Sequence, residues 1–177
     1  MDRQKLIGVA CAALAILLLT LAAFSHSWIT GRSFDIESKV GLRAVDICTE
    51  GAPCEQVSLK EWGESSFAPK GLSTYRVLGG ISFWLALATA FALLLSAGFA
   101  LRGSVPDLPM HPASAALLLT IALLIVGVLT LALHPFKQAG WGTGPGFLLL
   151  AGGDVLALAA ALLLGRSGPF PEDEWFD

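Results

Sequence analysis

The chain is short of charge. Asp, Glu, Lys and Arg make up 14% of its 177 residues, against roughly 25% in ordinary soluble domains. Hydrophobic residues reach 55%, and mean hydropathy is +0.71. A soluble chain this short could not hide so much apolar surface in one core. The 11 basic residues are outnumbered by 14 acidic ones, so the basic face of a nucleic-acid binder is missing. Cysteine is scarce too: there are three, none in Cys-x-x-Cys spacing. A quinone-linked thiol oxidoreductase needs a reactive pair plus a relay pair, and only one pair is available here. The histidines follow no metal-ligand spacing. The glycines from Gly140 to Gly146 lack the Gly-Lys-Ser/Thr ending of a phosphate loop and follow no strand pattern. No enzyme constellation is visible, and no cofactor is implied.

Long apolar runs are what the chain does have. Leu6 to Phe24, Val77 to Leu101, Ala113 to Leu133 and Phe147 to Leu164 contain no Lys, Arg or Glu. At about 1.5 Å per residue each covers roughly 27–37 Å, enough for a hydrocarbon core of about 30 Å. Backbone groups in lipid must be satisfied within the segment, so these four should be helices. The first follows Arg3 and Lys5 and could pass for a signal peptide, but its apolar run of 19 residues exceeds the usual 7–15. It reads as a retained span. The short connections Arg102–Pro112 and His134–Gly146 imply antiparallel neighbours, hence an all-α membrane protein, an up-down-up-down four-helix bundle. Both termini then share a side. Arg3 and Lys5 at the dominant first helix argue for a cytoplasmic one, although the long segment 25–76 carries six basic residues among seven acids. Trp28, Tyr75, Trp84 and Trp141 fit an aromatic belt near the membrane surface.

The 25–76 segment holds Cys48 and Cys54. Between them Thr49 to Pro53 has turn composition. Lys39 to Cys48 and Glu55 to Trp62 alternate in part, as do Phe34 to Glu37. The pattern predicts a small antiparallel sheet with a hairpin near 48–54. A disulfide across that hairpin would persist only in an oxidising compartment; the alternative is two unpaired thiols in a cytoplasmic loop. Cys11 is expected to be free.

Trp28 just after the first helix, Gly41-Leu42, the two cysteines and Arg76 at the entry to the second helix together resemble the claudin/peripheral myelin protein superfamily. The resemblance implies four helices with a large first extracellular segment. It implies a sheet held by the Cys48–Cys54 bond and packed over the outer helix ends. The motif spans about residues 28–76. It departs from the family at Arg43, where a Trp is expected, in the longer Leu42–Cys48 gap and in the shorter gap between the cysteines. The chain ends Trp175-Phe176-Asp177 rather than in a hydrophobic residue, so the barrier-forming activity of claudins is not carried over. The richness in Ala, Leu and Gly fits a bacterial source.

Asp154 is the only charge within the four spans. An ionised Asp at a helix centre costs roughly 2.5–3.5 kcal/mol on insertion scales, so it should face the bundle. Gly152 and Gly153 beside it permit close helix approach. Its readings are a proton or cation site, a polar contact to a partner subunit, a hydrogen bond to Thr20, Thr130 or Ser25, or simply a protonated acid. His26 and His134 read as interfacial histidines. In the 165–177 tail, four acids fall in the six residues from Glu172. The tail is either a solvated disordered end or a peptide that docks Trp175 and Phe176 on a basic cytoplasmic partner. The expectation as a whole is a single multi-pass protein of the plasma membrane (the inner membrane in a bacterium), with its loop outside and its termini inside. It would act as a structural or accessory subunit by lateral association with other membrane proteins or itself. The competing readings are a small transporter or channel component using Asp154 and, behind it, a quinone-linked thiol oxidoreductase using the Cys48, Cys54 pair.

Overall fold

A computed structural model describes residues 3–33, 36–49, 51–65, 68–103, 111–136 and 140–166. In chain order the elements are α1 (Arg3–Phe24), β1 (Ile29–Ser33), β2 (Ile36–Val40), β3 (Ala44–Thr49), β4 (Glu55–Ser58), α2 (Leu59–Glu64), α3 (Leu72–Arg102), α4 (Pro112–Ala132), β5 (Trp141–Thr143) and α5 (Pro145–Arg166). Helices α1, α3, α4 and α5 are each long and apolar enough to cross a membrane.

Small residues set how these helices meet. Ala12, Ala15, Leu19 and Ala22 line the buried stripe of α1, which packs on α3 and α5. Helix α4 packs on the same two. Leu163 and Leu164, late in α5, lie against Gly8, early in α1. Ser82, early in α3, is bonded to Thr130, late in α4, at 3.2 Å. Tight van der Waals contact between small residues is the kind of packing by which long apolar helices associate. The opposite faces carry exposed Leu, Ile, Val and Phe side chains such as Leu14, Leu17, Phe91 and Leu124.

Helix α3 starts at Leu72, five residues before the apolar run begins. Gly71 in the left-handed conformation (φ 92°) turns the chain into it, and the extra turn buries Leu72 and Tyr75 in a second core. At the other end Gly103 (φ 67°) closes the helix. Helix α4 begins with Pro112, whose missing N–H costs nothing at that position, and the His111 side chain accepts from the Ala113 amide at 3.2 Å.

The sheet is antiparallel, in the order β4-β3-β2-β1-β5. The hairpin expected near 48–54 joins β3 to β4. Three details differ from expectation. The stretch Lys39–Cys48 is not continuous, because the turn at Gly41–Arg43 divides β2 from β3, with the Gly41 amide donating to the Ala44 carbonyl at 2.8 Å. The stretch Glu55–Trp62 is a strand only as far as Ser58. There the Ser58 hydroxyl caps the Glu61 amide and the Glu61 carboxylate accepts from the Ser58 amide, both at 3.1 Å. This reciprocal box starts α2. Finally, the 140–146 connection is not only a turn, since Trp141–Thr143 adds a fifth strand against β1.

One face of the sheet presents Ile29, Val40 and Val45 to a small core with Leu59, Leu72, Tyr75 and Phe136. Trp62 and Trp141 both stack on Phe136, with centroids at 5.6 and 4.7 Å. Of the four aromatics expected in a belt, three are drawn into the fold. Tyr75 and Trp28 are buried between sheet and bundle, Trp141 belongs to the sheet core, and only Trp84, 68% exposed, faces outward.

Candidate functional site

Of the residues singled out by sequence, Trp28, Gly41 and Leu42 meet at the junction where the sheet stands on the helix ends. Trp28 is buried there. Its Nε1–H donates at 2.7 Å to the Ala22 carbonyl in the last turn of α1, which also accepts the Ser25 amide at 3.2 Å. Its ring meets Phe147 edge-on at 6.3 Å. The backbone on either side is tied to the start of α5, with the Gly144 amide donating to Trp28 O at 2.8 Å and the Gly146 amide to Ser27 O at 2.9 Å.

Gly41 and Leu42 form the turn that enters the bundle. A Cβ on Gly41 would lie 2.8 Å from the Ser25 carbonyl oxygen and 2.9 Å from His26 Cα. One on Gly79 of α3 would lie 2.9 Å from the Leu42 carbonyl oxygen. The Tyr75 hydroxyl donates to the Gly41 carbonyl at 3.2 Å. Arg43 follows, exposed, its guanidinium 4.9 Å from the Phe83 ring centroid. Arg76 is exposed on the first turns of α3 and lines a crevice with Glu64 and Ser73. No ion pair joins Arg76 to Glu64 among the described residues.

Cys48 and Cys54 are bonded to each other, and Cys11 is free. The bond closes the β3–β4 hairpin at its tip, away from the junction. His26 does not reach His134. It lies 3.1 Å from Asp46 Oδ2 and 2.9 Å from Gln56 Nε2, and Gln56 donates to Asp46 Oδ1 at 3.1 Å. His134 Nδ1 accepts from the Phe136 amide at 3.1 Å, and its ring stacks on Phe136. The Glu61 carboxyl is held below its ordinary range by the Ser58 hydroxyl and then the Ser58 amide.

No protein-family model matches the chain, and neither does any curated protein.

Inside the bundle Asp154 is 4% exposed. It faces protein, but the expected hydrogen bond to Thr20, Thr130 or Ser25 is not formed. Both carboxyl oxygens are buried without a hydrogen-bond partner. The hydroxyls are spent locally: Thr20 donates to Ile16 O at 2.7 Å, Thr130 to Val126 O at 2.8 Å, and Ser25 Oγ accepts from the Ser27 amide at 3.2 Å. Such back-bonding to the preceding turn is the usual outlet for a helical Thr. Trp175 and Phe176 lie outside the described residues.

Sequence reasoning missed Gly79, Asp46 and Gln56, and put Tyr75 in an interfacial belt where the structure buries it in the sheet core. Gly79-Gly80 in an apolar helix was the available signal for Gly79. The Asp46–Gln56 contact depends on the β3–β4 register, which pairs these two residues directly.

Proposed function

We propose that this is a claudin-like structural or accessory protein of the plasma membrane, with four spans running up-down-up-down, acting by lateral association. The observation that carries the reading is the disulfide-pinned sheet standing on the helix ends, with the outer edges of β4 and β5 left without a strand neighbour among the described residues. An open strand edge offers unpaired amides and carbonyls to another chain. The helix contacts support the alternation, because early residues of α1 and α3 meet late residues of α5 and α4. The disulfide supports an oxidising environment for the sheet, hence cytoplasmic termini.

Crosslinking from native membranes in mild detergent tests this reading. Glu55→Cys on the β4 edge should capture a membrane protein or a second copy of the chain, while a cysteine at Leu14, on the lipid-facing side of α1, should capture less. A strictly monomeric chain with no captured partner at either position refutes it.

A second reading has its own support. The unpartnered carboxyl of Asp154 favours a small transporter or channel component, with the acid as its polar station. Proton or ion flux in liposomes that vanishes in Asp154→Asn would establish it, and absence of flux in the wild type would remove it.

A further inference from the structure

Where α1 ends, the β2–β3 turn and α3 enclose a crevice of about 290 Å³. Its walls differ sharply in chemistry. Phe24, Phe83 and Leu42 give it an apolar lining, and Arg43, His26 and Ser25 a polar one. Phe24 meets Phe83 edge-on at 5.4 Å, and Phe83 meets the outward-facing Trp84 at 5.3 Å. The apolar wall is thus continuous with the face of α3 that looks away from the bundle.

Arg43 is the informative residue. Its guanidinium lies over the Phe83 ring, and no carboxylate pairs with it among the described residues. The acid of this cluster, Asp46, is bonded to His26 and Gln56 instead. An uncompensated guanidinium held at the end of an apolar span is the arrangement that anionic headgroups seek. Arg forms two parallel hydrogen bonds to phosphate oxygens more readily than Lys does. The volume sits at the small end of ligand sites, which run from roughly 300 to 1,000 Å³. It has room for a headgroup, with the acyl chains left outside against the aromatic wall.

We propose that this crevice binds an anionic phospholipid from the leaflet on the sheet side, its phosphate on Arg43 and an acyl chain along Phe24 and Phe83. The inference rests on the reading of α1 and α3 as membrane spans but is independent of lateral association. A lipid bound here would seat the sheet on the membrane surface, because Leu42 and Arg43 belong to the turn that joins β2 to β3.

The test is native mass spectrometry of the full chain in detergent, titrated with phosphatidylglycerol and with phosphatidylcholine of the same acyl chains. The wild type should hold phosphatidylglycerol about fivefold more tightly, the effect of one basic residue near an anionic surface. Arg43→Gln should abolish that preference. Arg43→Lys should keep part of it, and Arg76→Gln, outside the crevice, all of it. Inorganic phosphate should not displace the lipid. Equal affinity for the two lipids, an unchanged preference in Arg43→Gln, or equal loss in Arg76→Gln overturns the proposal. Displacement by inorganic phosphate also overturns it, in favour of a free-anion site. Unfolding midpoints of the variants, measured in parallel, should match the wild type, so that lost preference is not lost fold. Alkali extraction from membranes checks the spans separately: a chain that is extracted fails the premise, whereas a chain that is retained without lipid preference fails only this site.

Discussion

Replacing Gly41 by Ala tests whether the sheet and the bundle form one unit. The new methyl group would face two backbone atoms, the Ser25 carbonyl oxygen at 2.8 Å and His26 Cα at 2.9 Å. Neither can rotate away as a side chain could, so the β2–β3 turn must lift. Overpacking of this kind costs about 1–3 kcal/mol. The lift also stretches the bond from the Tyr75 hydroxyl to the Gly41 carbonyl, a buried pair whose loss adds roughly 1 kcal/mol. The sum, about 2–4 kcal/mol, corresponds to a drop in midpoint of roughly 4–16 °C for a chain of this size. Gly79→Ala pushes the same turn from below, through the Leu42 carbonyl at 2.9 Å. The two substitutions should therefore be sub-additive: once the turn has lifted, the second methyl meets less resistance. Gly80→Ala, with open space at its Cβ, should be neutral or mildly stabilising through helix propensity. Thermal unfolding of the four variants in one detergent decides the matter. Wild-type midpoints for both Gly41→Ala and Gly79→Ala, or strict additivity between them, would refute the seated turn.

Further outcomes follow from other parts of the molecule. Non-reducing digestion should yield one peptide pair linking Cys48 to Cys54 with Cys11 alkylated, and Cys48→Ala should loosen the hairpin by about 2–3 kcal/mol for so short a loop, measured by amide exchange across β3 and β4. The Glu61 carboxyl is depressed by Ser58, so its contribution to the α2 cap is present above the ordinary carboxylate range and is lost as pH falls through the lowered value. Amide protection in α2 should fall in acid in the wild type, and Glu61→Gln should show no such acid step. Asp154→Ala removes a buried carboxyl with no hydrogen-bond partner, so it should unfold no earlier than the wild type and as much as about 1–3 kcal/mol later. An earlier midpoint would mean that the carboxyl has a stabilising partner.

The long elements were legible because runs of 18 or more apolar residues leave a backbone few choices but a helix. They located four helices to within a few residues, apart from the start of α3, where Tyr75 and Leu72 extend the helix into the sheet core. The hairpin was legible from the turn composition between the cysteines. The fifth strand was not, since Trp141–Thr143 has no alternating pattern of its own and is a strand only because β1 offers it an edge. Helix α2 was legible in principle, as Ser58-Leu59-Lys60-Glu61 spells a capping box, but partial alternation masked it. At the junction, Trp28 and Gly41-Leu42 were found as a motif, while their reason for being there needed coordinates. Trp28 caps a helix-end carbonyl, and Gly41 leaves room for a chain crossing.

Asp154 differs in kind from the other polar residues of the bundle. Ser82 and Thr130 bond to each other, and Thr89, Ser96 and Thr120 each donate to a carbonyl four residues back. These hydroxyls need nothing from outside their own helix or its neighbour. A carboxyl cannot donate to its own helix in its charged form, and here it has no partner in either oxygen. Packing gives no reason to keep it, since Gly152 and Gly153 already supply the close approach to α1, with Leu18 and Leu19 against them. Residues that break a local rule without a local gain tend to mark function. An Asp154→Ala chain that folds at least as well as the wild type but has lost its biological activity would assign the residue to function. A chain that folds and works normally would leave the acid as a tolerated cost of the packing around it.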